Sequence, residues 1–460
     1  MMRTVELPLW VLVLVLGLSA IAALDRILAP SVRWYFRRRM EKAVARLNLR
    51  LARPIEPFKL ARRQDMIVRL VHDPLVTKAV ADHAAETGVP PSVAFQEAHT
   101  YAREIVPGFS ASVYFGFATK ATRRISRALY RVRIGKVAPA LAEIDTTATV
   151  IFVMNHRSNM DYILVTWLVA NRSAISYAVG EWARVWPLSR LIRAMGAYFI
   201  RRGSRNPLYR KVLARYVQMA TAEGATQAIF PEGGLSLDGR VGPARMGLIS
   251  YIVQGFDPGG RDVVFVPVGL AYDRVLEDRV LTEASQAGTR RFRAKPMAIA
   301  AFVLRLLWRK LRGRFSGFGT AAAGFGAPVS LRAFMAQGAA DPSEALGLCL
   351  MDEIARVVPI LPVPLVAAAL AAGVTSRADL DSRVRELAGL LSADGAVLRM
   401  PPQGGDAVVD EGLAPLIGRG IVAADLTVLP EGRALLEFYA ASVHQRLEKS
   451  GFVEKVNSIS

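Results

Sequence analysis

His156 and Asp161 stand five residues apart, just where the apolar run Ile151-Phe152-Val153-Met154 stops at Asn155 and before the apolar segment YILVTWLVA begins. An imidazole that donates one ring N–H to a carboxylate keeps its other nitrogen free as a base, so the pair has the makings of a general base and its orienter. The spacing restricts how the two can meet. Helical residues five apart lie about 140° from each other around the axis and cannot touch. The pair therefore needs His156 on a turn after a strand, with Asp161 in the first turn of the next helix, folded back beneath the ring. The same residues carry a plainer reading: Ser158-x-x-Asp161 spells a capping box, in which Asp161 satisfies a helix N-terminus and His156 is only a turn residue.

Three later stretches also place polar or basic groups where an apolar run ends. GAYFIRRGSR, residues 196–205, sets Arg201, Arg202 and Arg205 after such a run. Guanidinium groups bind phosphate bidentately, so the cluster suits a phosphate clamp, with a solvated basic edge as the alternative. FPEGGLSLDGR, residues 230–240, puts Glu232 directly after a strand-like run. Gly233 and Gly234 let the backbone approach a ligand, and Glu232 can tie an arginine or accept a substrate hydroxyl. In VFVPVGLAY, residues 264–272, Pro267 removes a ladder donor, which implies a bulge or an edge near a site.

These stretches need a frame to hold them. The central region, from about 138 to 332, alternates strand-like and helix-like segments, which implies an α/β layer structure. Before it, about 41–137 reads as short helices punctuated by Pro90, Pro91 and Pro107, with Met66, Val68, Leu70 and Val71 as one apolar stripe. After it, 333–460 reads as a smaller helical region, and Val357–Gly373, broken by Pro359, Pro362 and Pro364, as a buried or interfacial segment. The four expected parts are 1–40, 41–137, 138–332 and 333–460.

Leu7–Leu24 carries no charge and would span about 27 Å as a helix, close to the bilayer core. Arg26, Arg33, Arg37, Arg38, Arg39 and Lys42 follow it, so the positive-inside rule sets the bulk of the chain on the cytoplasmic side. A cleaved signal peptide, ending near Ala20 and Ala22, is the competing expectation. In IAAFVLRLLWRKLRGRF, residues 299–315, Leu304, Leu307, Trp308, Leu311 and Phe315 share one helical face and Arg305, Arg309 and Arg312 another. Such a helix can lie on an anionic membrane surface, or pack on the sheet with snorkelling arginines.

The chain has 460 residues, 52% of them hydrophobic, which excludes a disordered chain, and a net charge of +20, which points to anionic partners. The one cysteine, Cys349, excludes an intrachain disulfide and a Cys-rich metal site, and His72, His83, His99 and His444 lack metal-ligand spacing. No metal and no cofactor are expected.

Taken in order, NHRSNMDY, GAYFIRRGSRNPLYRKVLARY, FPEGGLSLDGR and VFVPVGLAYDRVLE resemble the four blocks of bacterial membrane-type glycerol-3-phosphate acyltransferases, among the His-x-x-x-x-Asp phospholipid acyltransferases. Similarity reaches outward to YAREI, FGAPVSL and PILPVPLVAAAL, covering most of the chain from about Leu60. The resemblance implies an α/β fold with a central mixed sheet flanked by helices, an N-terminal helical region and a smaller C-terminal helical module. It implies that His156 is the general base for a glycerol hydroxyl attacking an acyl thioester, oriented by Asp161. Phe199, Arg201, Arg202, Glu232, Gly233, Ser236 and Arg240 would bind glycerol 3-phosphate, with Arg245 a further candidate. The implied donor is acyl-CoA or an acyl carrier protein, the implied surface is anionic membrane lipid, and no nucleic acid is expected. The implied location is the bacterial inner membrane, through a single-pass N-terminal anchor. Leu235 and Leu237 stand where the family is usually basic, and Asn159 where a histidine is common. Dihydroxyacetone phosphate or a lysophospholipid therefore stays open as acceptor, as does a non-catalytic basic protein tethered to a membrane.

Overall fold

The structure is a computed structural model that describes residues 8–135, 142, 144–170, 172–180, 188–201, 203–289, 296–313, 315 and 317–451. Its contacts divide the chain into two units, Met1–Ile55 with Asn171–Ser173, and everything else. In the first unit a single helix runs from Leu9 to Asn48, and Leu9, Trp10 and Leu12–Leu16 on it are exposed. Among the described residues no helix is long and apolar enough to cross a membrane. The side chains at 18 and 20–24, which belong to the expected anchor, lie outside those described.

The second unit is built on an eight-stranded mixed sheet. Its strands are β1 (Arg131–Ile134), β2 (Thr149–Met154), β3 (Ser176–Gly180), β4 (Tyr198–Ile200), β5 (Gln227–Ile229), β6 (Val263–Tyr272), β7 (Thr320–Phe325) and β8 (Val329–Ser330). They lie in the order β1-β7-β6-β2-β5-β3-β4, with β8 also on β6. The crossovers β2 to β3 and β4 to β5 carry helices and keep their strands parallel, as a βαβ connection requires, whereas β7 and β8 return antiparallel on β6. β1 falls in the stretch 41–137 expected to be helical, since its pattern RVRI lacks an apolar run; it pairs with β7 at the sheet edge.

Successive strand side chains point to opposite faces, and β2 shows both cores at once. Val150, Phe152 and Met154 face one layer, and Ile151 and Val153 the other. On the Ile151 side lie Arg63–Val71, Pro74–Thr87, Pro91–Ile105 and Pro207–Ala222. On the Phe152 side lie Pro362–Ala371, Arg377–Ala393, Asp406–Gly418 and Arg433–Lys449. The N- and C-terminal helices are thus the two outer layers of the sheet that carries the site. The segment 362–371 is a helix buried as far as Leu370, with Pro362 and Pro364 in the first turn, where a missing N–H costs nothing.

Two local expectations change. Val68 is 46% exposed, and Ile67 takes its place in the stripe with Met66, Leu70 and Val71, because the buried pair on each turn is adjacent. Pro267 marks neither a bulge nor an edge: it sits inside β6, paired with Val153 of β2. On its other side the pairing with β8 ends at Phe265 and that with β7 begins at Val268, and Gly326 N donates to Pro267 O. The absent N–H therefore falls opposite the gap between β7 and β8, where no ladder partner waits for it.

Candidate active site

β2 ends in the middle of the sheet between β5 and β6, so the chain leaving it emerges at the top of the core. Asn155 continues the pairing with its side chain, donating to Leu270 O at 3.0 Å and accepting from Leu270 N at 2.7 Å. The amide anchors the start of the turn to β6. His156 Nδ1 then donates to Asp161 Oδ2 at 2.9 Å, with both side chains buried. The same oxygen accepts the backbone N–H of Arg157 at 2.8 Å and of Ser158 at 3.0 Å, while Oδ1 takes the Tyr272 hydroxyl at 2.7 Å. Asp161 holds the turn and the ring together: one oxygen takes the Ser158 N–H, as half of a capping box would, and the ring N–H. A proton held on Nδ1 by this acceptor leaves Nε2 with its lone pair. The ring is clamped from the sides by Phe230, stacked at 4.2 Å between centroids, and by the edge of Tyr162 at 5.5 Å.

A second carboxylate fixes the backbone of the turn. Glu232 Oε1 accepts His156 N at 2.9 Å and Oε2 accepts Gly242 N at 3.3 Å, so it splints the turn to the following loop and pairs with no arginine among the described residues. Burial pushes its carboxyl up to about 7, against the pull of those two N–H groups and of Arg157. The Arg157 guanidinium, buried and lowered by that burial, donates to Gly239 O and lies 5.2 Å from the Phe438 ring centroid. A third carboxylate, Glu277, accepts Ser158 Oγ at 2.7 Å, Asn159 N at 3.2 Å and Asn159 Nδ2 at 3.0 Å. Asn159, at the position where the family often has histidine, is thus a turn anchor here.

The raised Glu232 carboxyl has a measurable consequence. Between its ordinary 4.5 and about 7 the folded protein holds a proton that the unfolded chain lacks, so stability from this group falls as pH rises through that window. The gap corresponds to roughly 3 kcal/mol. Denaturant melts from about pH 5 to pH 8 should show wild type losing stability relative to Glu232→Gln, which does not titrate. A difference that stays level over the range would mean that Glu232 ionises as a surface carboxylate does.

The remaining candidates are dispersed in role. Gly233 adopts φ +66°, and a Cβ there would meet Arg245 Cδ at 2.6 Å, so only glycine lets that side chain lie across the turn. Arg245 N donates to Pro231 O at 2.7 Å, and its guanidinium is exposed, with no carboxylate partner among the described residues. Ser236 N donates to His156 O at 2.9 Å, while its hydroxyl donates to Arg240 O and accepts Gly239 N, so it shapes the loop. Arg201 is engaged twice by Glu104, at 2.7 and 2.9 Å, and Arg240 twice by Glu448, at 2.6 Å each; both contacts raise the guanidinium pKa. Phe199 is wholly buried in β4 beneath the Arg193 guanidinium. Arg202 lies outside the described residues. Leu235 and Leu237 pack against the core.

The C-terminal helix Arg433–Lys449 seats directly on this loop. Besides Glu448 on Arg240, Gln445 holds Val241 by both its backbone N–H, at 2.8 Å, and its carbonyl, at 2.9 Å. Gly239, at φ +84°, lies so close to Phe438 O that any Cβ would meet it at 2.0 Å. The region that showed no chemistry in sequence is part of the wall around the turn. Among the described residues no cluster of three His, Cys, Asp or Glu is arranged to hold a metal.

Parts of the chain are similar to known proteins. Residues 138–271 match the family model described as Acyltransferase. A glycerol-3-phosphate acyltransferase of Pseudomonas entomophila (strain L48) is 27% identical over 410 residues, 84% of this chain and 48% of that protein. One of Haemophilus ducreyi is 31% identical over 61% of this chain and 34% of its own length. The chain spans between a third and about half of the curated relatives it matches. A crystal structure of the 1-acyl-sn-glycerophosphate acyltransferase from Thermotoga maritima aligns with a TM-score of 0.33 at 16% identity, covering 64% of this chain and 94% of that one. The likeness to the acyltransferase family model thus lies in the segment 138–271, which holds β2 to β5, most of β6 and the turn between His156 and Asp161.

Proposed function

We propose that the chain is an O-acyltransferase that moves a fatty acyl group from a thioester, acyl-CoA or acyl carrier protein, to glycerol 3-phosphate, giving lysophosphatidic acid. The observation that carries this is the buried His156–Asp161 pair, which leaves Nε2 as the proton acceptor. In the reaction the acceptor hydroxyl gives its proton to Nε2 as its oxygen bonds to the thioester carbonyl carbon. The imidazolium formed is paired with Asp161, the C–S bond then breaks, and the leaving thiolate takes the proton back. The alcohol is itself the nucleophile, so no acyl-enzyme and no bound cofactor enter the scheme. The names of the relatives support glycerol 3-phosphate as acceptor.

The phosphate is assigned to the guanidiniums around the loop, with Arg245 uncommitted and Arg240 shared with Glu448. Glu448→Gln frees Arg240, and the KM for glycerol 3-phosphate should fall roughly two- to fivefold, the scale of an exposed ion pair. An unchanged KM would take Arg240 out of the acceptor site. The uncharged run at 7–24 and the six cations after it support an N-terminal anchor in the bacterial inner membrane with the catalytic unit on the cytoplasmic side. The test of the reading is thiol release from one acyl-CoA with glycerol 3-phosphate, dihydroxyacetone phosphate and a lysophospholipid in parallel. The highest kcat/KM should belong to glycerol 3-phosphate, and a higher value for either of the others would reassign the acceptor.

A further inference from the structure

On the helix Pro296–Leu311 an apolar stripe is uncovered among the described residues. Leu304, Trp308 and Leu311 are 66%, 49% and 87% exposed. With Leu304 set at zero, Trp308 lies at about 40° and Leu311 at about −20° around the axis, so the three form one face. Leu306, at about 200°, is half-buried against the core beneath the helix. The helix is therefore held from behind, and its Leu-Trp-Leu face is turned outward. This excludes the packing of these three side chains on the sheet, one of the two arrangements their spacing allows.

Cations flank the stripe. Arg305, Arg309, Lys310 and Arg312 are all exposed, and Arg312 lies over the Trp308 ring, 3.9 Å from its centroid. From Thr289 to Phe315 the sequence holds nine Lys and Arg and no Asp or Glu. A narrow apolar face with a tryptophan, bordered by cations alone, matches the boundary between lipid headgroups and acyl chains, where the ring and leucines sink a few ångströms and the cations meet phosphate. We infer that this face docks on an anionic lipid bilayer, as a contact of the catalytic unit itself and separate from the N-terminal helix. The inference does not depend on the acyl-transfer reading, and its readout is not activity.

The test uses the full chain carrying Cys349→Ser and Leu304→Cys, with a nitrobenzoxadiazole label on the new thiol. The same label on Leu75→Cys, an exposed site on Pro74–Thr87, serves as control. Leu311→Cys is a second reporter should the first disturb folding. Vesicles of equal parts phosphatidylglycerol and phosphatidylcholine, with nitroxide on the acyl chains, should shift the label at 304 or 311 to the blue and quench it, leaving position 75 unchanged. Changing Arg305, Arg309, Lys310 and Arg312 to glutamine should raise the lipid concentration at half-quenching by roughly fivefold for each cation removed. Labels at 304 and 311 that stay hydrated and unquenched would overturn the inference. So would equal quenching by pure phosphatidylcholine vesicles, which would leave the cations without a role.

Discussion

Under the proposed acyl transfer, His156→Ala is expected to lower kcat by about 10²- to 10⁴-fold, the usual worth of a positioned general base, with little change in KM for either substrate. The split between the two constants follows from the geometry. Nδ1 of the ring is occupied by Asp161 and its flanks by Phe230 and Tyr162, so only Nε2 is left, and in the proposed mechanism it acts on a proton in flight. Removing it leaves the guanidiniums around the loop in place, and with them the ground-state binding proposed for them. The loss of a stacked ring costs some packing, so a near-unchanged thermal melt or circular dichroism spectrum must accompany the kinetics. A fall in kcat/KM that resides in KM would assign His156 to binding.

Asp161→Asn acts on activity and on stability together, and here the second effect separates it from a substitution at the ring. The carboxylate accepts four hydrogen bonds, three on Oδ2 and one on Oδ1. An amide offers one acceptor oxygen, so its NH₂ must confront either the two backbone N–H groups or the Tyr272 hydroxyl. Leaving buried donors without a partner costs about 1–3 kcal/mol each, and the turn loosens. The imidazole also loses the group that fixes its tautomer, so part of the population carries its proton on Nε2 and has no base to offer. The expected result is a kcat reduced by roughly 10³-fold or more together with a lowered melting temperature. A variant that melts like wild type would show that the turn does not rely on this carboxylate.

What could be read from the chain follows the range of each interaction. The His156–Asp161 geometry was legible because the two residues are five apart and one rotation argument decides whether they can meet. The α/β layering was legible from alternation of strand and helix, and the mixed sheet only from the family resemblance. The partners that make the turn rigid were not. Tyr272 lies 111 residues from Asp161, Glu277 lies 118 from Asn159, and Asn155 reaches Leu270 across 115. No local pattern marks these pairs, although Tyr272 and Glu277 both fall in the block VFVPVGLAYDRVLE. The arginines show the same limit from the other side. Their clustering suggests a phosphate clamp, and only the fold discloses that Arg201 and Arg240 answer to Glu104 and Glu448, 97 and 208 residues away. The last helix was unremarkable in sequence because its contribution, the Phe438 carbonyl against Gly239, the Gln445 amide on Val241 and the Glu448 carboxylate on Arg240, depends on placement across some 200 residues.

The most direct test of the central claim is the release of free thiol from a long-chain acyl-CoA by the purified full chain, followed with and without glycerol 3-phosphate and repeated with folded His156→Ala. The account predicts release that requires the acceptor and all but vanishes in the variant. Acceptor-dependent release at the wild-type rate in folded His156→Ala would contradict it.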